Sequence, residues 1–141
     1  MTHFKIYALI VCVTLLIGCS TPQPSGSSLV HYQPKDGDQS RLRFEYLSDV
    51  DKGAMPRFRP SPDFNFAPKY LGSIVRVVVE ITVNSTGEVT DSRLISADPT
   101  FVGEPVAASY LRAKFEPARK NGETIECKLR MTLSFTLSAE P

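Results

Sequence analysis

Residues 125–137 alternate without a break. Ile125, Cys127, Leu129, Met131, Leu133, Phe135 and Leu137 are apolar, while Glu126, Lys128, Arg130, Thr132, Ser134 and Thr136 between them are polar or charged. Successive side chains of a strand point to opposite faces, so this pattern predicts one β-strand with a buried face and a wet face. At roughly 3.3 Å per residue it spans about 43 Å, well beyond a typical strand of about five or six residues. A strand that long outruns short neighbours and leaves backbone N–H and C=O groups unpaired. Such an edge is either blunted or used to pair with another chain.

The rest of the chain supplies elements to pack on that strand. Residues 73–83 predict a second strand, with Val75, Val77, Val79, Ile81 and Val83 on one face. Asn84, Ser85, Thr86 and Gly87 form a tight connection, and residues 88–96 return as its partner. The return strand alternates imperfectly: Val89 fits one phase, whereas Ser92, Leu94 and Ser96 fit the other. A β-bulge near Thr90 and Asp91 reconciles the two phases. A helix then starts near Glu104 and Pro105, with Val106, Ala107, Tyr110 and Leu111 at helical spacing, Phe115 extending the stripe and Pro117 stopping it. Residues 119–122 make the last turn. Upstream, Leu42, Phe44 and Tyr46 alternate with Arg41, Arg43 and Glu45 as a short strand. Prolines 56, 60, 62 and 68 mark an extended arm whose Phe58, Phe64 and Phe66 either pin it to the body or, the favoured reading, merely fill the rim of the core. The expected class is α+β: a small antiparallel sheet of about three strands with a helix packed on one face.

The N-terminus reads as a targeting segment. Lys5 precedes an apolar stretch over residues 6–17, too short for a bilayer core that needs about 20 residues but suited to a secretory leader. Gly18 before Cys19 resembles the bacterial lipobox, in which cleavage leaves a lipidated cysteine, and Ser20 after it favours the outer membrane. The expected division is a leader at 1–18, a lipidated Cys19 with a flexible Pro/Gly/Ser tether at 19–54, and a folded domain at 55–141. Fully extended, residues 20–40 reach at most about 70 Å, enough to lift a domain off a membrane but not to cross a periplasm. Cys12 leaves with the leader and Cys19 is acylated, so Cys127 stands alone as a small buried hydrophobe.

Charge and chemistry narrow the function. The formal balance is +1 for the whole chain and falls to zero with the loss of Lys5. No basic stripe supports nucleic-acid binding. His31 is the one histidine outside the leader, so neither a catalytic Ser-His or Cys-His pair nor a zinc site is expected. Asp36, Asp38, Asp49 and Asp51 miss the spacing of a calcium loop, and no glycine-rich phosphate loop is present. The expectation is a non-enzymatic protein with no cofactor and no metal.

Several motifs then fall in one order. Residues 83–89, VNSTGEV, resemble a V-x-x-x-G-x-V hairpin, and residues 94–99, LISADP, resemble a lead-in to a helix. Phe115-Glu116-Pro117-Ala118 followed by Asn121-Gly122 resembles an aromatic-x-P-A…G exit, and Pro62-Asp63-Phe64 resembles a P-x-aromatic arm. Together, from about residue 62 to residue 137, they resemble the C-terminal domain of the TonB family. Val75 stands where that family often has glycine, and Ala113 stands where it has a large aromatic, so Phe101 or Tyr110 must fill the core there. The leader and short tether replace the family's uncleaved transmembrane helix and long Pro-rich spacer.

The resemblance implies that the last strand accepts an extended peptide from an outer-membrane receptor. Glu126, Lys128, Arg130 and Thr132 would then be its wet-face binding residues, and Pro62 and Phe64 of the arm would help grip the peptide. Lys128 and Arg130 equally fit charges that keep an edge strand from aggregating. Three readings follow. One is a TonB-like module, lipid-anchored and facing the periplasm, that binds a partner protein. The second is a structural envelope lipoprotein that dimerises or scaffolds through the same edge. The third is a transducer whose N-terminal anchor stays uncleaved.

Overall fold

The computed structural model describes residues 29–32 and 41–138. The leader, Cys19 and residues 20–28 and 33–40 of the expected tether lie outside the described residues. The described residues form eleven strands and helices: β1 (Val30–His31), β2 (Arg41–Tyr46), β3 (Met55–Phe58), β4 (Asn65–Phe66), β5 (Ile74–Val83), β6 (Val89–Asp98), α1 (Gly103–Tyr110), β7 (Lys114–Glu116), β8 (Ala118–Lys120), β9 (Glu123–Ile125) and β10 (Cys127–Thr136). Short 3₁₀ turns occupy Pro68–Tyr70 and Thr100–Val102. The architecture is α+β, as the sequence predicts, with four strands in the main sheet and three two-stranded ribbons around it.

The main sheet is antiparallel in the order β2-β10-β5-β6. The alternation of β5 and β10 sets its core. Their register places Cys127 opposite Val83, Leu129 opposite Ile81, Met131 opposite Val79, Leu133 opposite Val77 and Phe135 opposite Val75, all of them buried. The β5–β6 hairpin is closed by Asn84, whose Oδ1 accepts from the Thr86 N–H at 3.0 Å and the Glu88 N–H at 2.9 Å. Gly87 follows at φ 88°, a conformation that favours glycine. The register of β6 shifts twice, at Thr90 and at Ile95. The first shift is the bulge expected from the broken alternation, and the second turns Ile95 outward, 43% exposed.

The helix covers the core face. Val106, Ala107 and Tyr110 point inward, and the Ser92 hydroxyl donates to the Ala107 carbonyl at 2.7 Å, tying α1 to β6. Tyr110 fills the core as expected, whereas Phe101 stays at the rim beside Tyr70 and Phe64. The helix ends earlier than its spacing suggests. Phe115 belongs to β7, which pairs with β3, and its N–H donates to the Gly87 carbonyl at 2.8 Å. Backbone pairing on two sides outweighs one further helical turn.

Two expectations about the long strand are corrected. The alternating run is not one strand: residues 123–125 turn aside to pair with β8 across Asn121 (φ 52°) and Gly122 (φ 81°), and Glu126 joins neither β9 nor β10. Nor is β10 a sheet edge. It pairs with β5 over its full length and with β2 from Leu129 to Ser134. Packed structure therefore begins upstream of residue 55.

Candidate partner-binding edge

The side of β10 away from β5 is where an added strand has to sit, and β2 sits there. Lys128 fixes which backbone groups face that side: its N–H donates to Ser48 Oγ at 2.9 Å and its carbonyl accepts from the Leu47 N–H at 2.8 Å. Backbone groups of an antiparallel strand alternate in direction, so Arg130, Thr132 and Ser134 also present their N–H and C=O toward β2. The wet-face residues singled out in the sequence are thus the ones whose main chain holds the adjoining strand. The structure brings Lys128, Arg130 and Thr132 together in that row and leaves Glu126 outside it.

Across the wet face runs a ladder of alternating charge. Register aligns Glu45, Arg130, Glu80 and Arg93 on four successive strands. Arg130 reaches Glu45 at 3.3 Å and Glu80 at 3.4 Å, and Arg93 reaches Glu80 at 2.9 Å. The Glu80 side chain is only 10% exposed, so its two guanidinium partners supply the pairing that water would give an exposed carboxylate. Arg130 keeps one group unsatisfied: its Nε is buried with no hydrogen-bond partner.

Beneath β2, Leu42, Phe44 and Tyr46 are half-buried over the fully buried Leu129 and Met131. Tyr46 is the anchor. Its hydroxyl donates to the Ala54 carbonyl at 3.0 Å, and its ring lies so close over Gly53 that a Cβ there would stand 2.0 Å from it. Burial, and then the neighbouring Cys127, push the Tyr46 phenol above its ordinary range. Burial likewise pushes the Cys127 thiol up.

The arm meets the far end of β10. Phe64 stacks on Tyr32 at 4.8 Å, Tyr32 in turn lies 5.3 Å from Phe135, and Phe66 is buried, so these two arm aromatics do pin it down. Phe58 does not, at 56% exposed. Pro62, Arg59, Tyr110 and Leu133 help line a cavity of about 200 Å³ between arm, helix and sheet. Burial pushes the Tyr110 phenol up to about 12, against the opposing pull of Arg59. Among the described residues, no three His, Cys, Asp or Glu side chains gather as a metal site, and no helix is long and apolar enough to cross a membrane.

Residues 70–137 match the family model of the Gram-negative bacterial TonB protein C-terminal domain. The likeness over that span is to a TonB-family C-terminal domain. This family is a non-catalytic one of the bacterial envelope, whose members interact with other envelope proteins. A solution NMR structure of the Pseudomonas aeruginosa TonB C-terminal domain is similar at 22% identity and a TM-score of 0.41, covering 70% of this chain and 97% of that one. No curated protein matches. The matched span excludes β2, which sequence reasoning found as a strand without finding its place. The one available signal was the complementary charge of Glu45 and Arg130.

Proposed function

We propose that this protein is a lipid-anchored envelope module, held at the outer membrane through Cys19, whose TonB-type domain binds an extended segment of a partner by strand addition to β10. The partner class is the periplasmic end of an outer-membrane receptor. The observation that carries the reading is β2 itself. It lies outside the family-matched residues, yet it pairs with β10 over six residues. The outer side of β10 is therefore chemically competent to hold a strand that the domain does not strictly contain, using main-chain bonds for affinity and wet-face side chains for choice.

Two experiments test this reading. Palmitate labelling of the full chain in cells should depend on Cys19; labelling that survives Cys19→Ala removes the lipid anchor and returns the uncleaved-anchor reading. Photo-crosslinking from the exposed position 128, with the captured protein identified by mass spectrometry, should yield an outer-membrane receptor. Capture of a second copy of this chain would instead place it among structural lipoproteins that dimerise through the sheet.

A further inference from the structure

β2 has the marks of a cover. It spans six residues where β5 spans ten, its three inward side chains are only half-buried, and the β10 residues beneath them are buried. We infer that β2 is an internal stand-in for the partner segment, which must displace it, and that its residues spell the partner's pattern. The inference rests on the strand-addition reading above and specifies its ligand.

The pattern follows position by position. A segment replacing β2 must run antiparallel to β10. It needs apolar residues at three alternate positions to take the places of Leu42, Phe44 and Tyr46 over Leu133, Met131 and Leu129. Between the second and third of these it needs a carboxylate. With β2 gone, Arg130 keeps only a share of Glu80, which Arg93 also holds, and its Nε has no acceptor even with β2 in place. A basic residue at that point would meet Arg130 head-on, and like charges directly opposite each other destabilise a strand pair. The partner is thus an extended peptide with alternate apolar residues and one acid facing Arg130. Because β2 is covalently attached, it competes at high effective concentration, so the open edge is a minor state and apparent affinity falls by that fraction.

The test uses the full chain and a fluorescein-labelled synthetic peptide of residues 41–47, read by fluorescence anisotropy. Leu42→Ala/Phe44→Ala loosens the cover. The expected result is about tenfold tighter binding to this variant than to wild type, the factor released when a cover weakens by about 1.4 kcal/mol. Replacing the peptide's glutamate by lysine should weaken binding about tenfold. If the double variant loses its cooperative melt, Glu45→Lys takes its place, since it loosens β2 from an exposed position by setting a like charge against Arg130. Equal affinity for wild type and loosened chain would overturn the inference, because the peptide then adds elsewhere, while strand addition as such would stand. Binding to neither folded chain would overturn both. Indifference of binding to the glutamate would remove the acidic requirement.

Discussion

The hairpin glycine offers the sharpest test of how the sheet is joined to the segment after the helix. Gly87 sits at φ 88°, and a Cβ built there would lie 2.0 Å from the Phe115 carbonyl oxygen and 3.1 Å from its carbonyl carbon. The same residue accepts the Phe115 N–H at 2.8 Å. Gly87→Ala therefore incurs two costs. Holding a non-glycine residue in this region costs about 1–3 kcal/mol. Backing the two main chains apart to relieve the contact gives up a hydrogen bond worth about 0.5–1.5 kcal/mol. The sum is about 1.5–4.5 kcal/mol, which for a domain of this size lowers Tm by roughly 7–22 °C. Gly122 is the internal control: it has φ 81°, but a Cβ there would meet nothing within 4 Å. Gly122→Ala carries the backbone term alone, about 1–3 kcal/mol and roughly 5–15 °C. Thermal melts by far-ultraviolet circular dichroism, with urea titrations of the same samples, measure both. Equal losses in the two variants would refute the reasoning, because the approach of Gly87 to Phe115 would then cost nothing.

Three further predictions concern other parts of the molecule. Tyr110 is pushed up to about 12 by burial, so the unfolded chain loses its phenolic proton first; the stability this group contributes is intact below pH 10 and drains away as pH rises toward 12, by about 2–3 kcal/mol, and Tyr110→Phe should flatten that slope in urea titrations across the range. Glu80→Gln leaves Arg93 and Arg130 without their shared carboxylate and should cost about 1–2 kcal/mol, whereas Glu45→Gln, at a 63% exposed side chain, should stay within about 0.5 kcal/mol; equal effects in urea would remove Glu80 as the centre of the ladder. Cys127 is buried and its thiol is pushed up, so iodoacetamide should modify it in the folded chain far more slowly than in urea, followed by the mass of its peptide; equal rates would show that β10 opens readily.

The elements that came through from sequence are those with a local cause. β5 and β10 announce themselves by period-two alternation, the hairpin by Asn84 and Gly87, and the first bulge by the phase change after Val89. The later failures share a different cause. Phe115 lies four residues after Leu111 and suits a helix as well as a strand, and only its pairing with β3 decides the matter. The break at Glu126 depends on residues 123–125 finding β8, which no alternation reveals. The standing of β10 is the clearest case. A strand with one apolar face reads the same whether it is central or at an edge, because pairing uses backbone groups that every residue has. Its neighbour β2 lies more than 80 residues upstream, as the contact between Arg130 and Glu45 shows.

Lys128 and Arg130 read in the sequence either as contacts for a partner or as charges that discourage sheet pairing. The structure gives Arg130 a further task. Register in a strand pair is weakly specified where one member is short, because a slip of two residues keeps every side chain on its own face. β2 has six residues against ten in β10 and so is open to such a slip. Sliding it one way would set Arg43 opposite Arg130, a like-charge pair; sliding it the other way would set Leu47 there, leaving the guanidinium with Glu80 alone. Only the observed register gives Arg130 a carboxylate on both sides. The same selection acts on any segment that takes the place of β2, and that is why the acid opposite Arg130, more than the apolar residues that many strands share, is the feature by which a partner segment is to be recognised.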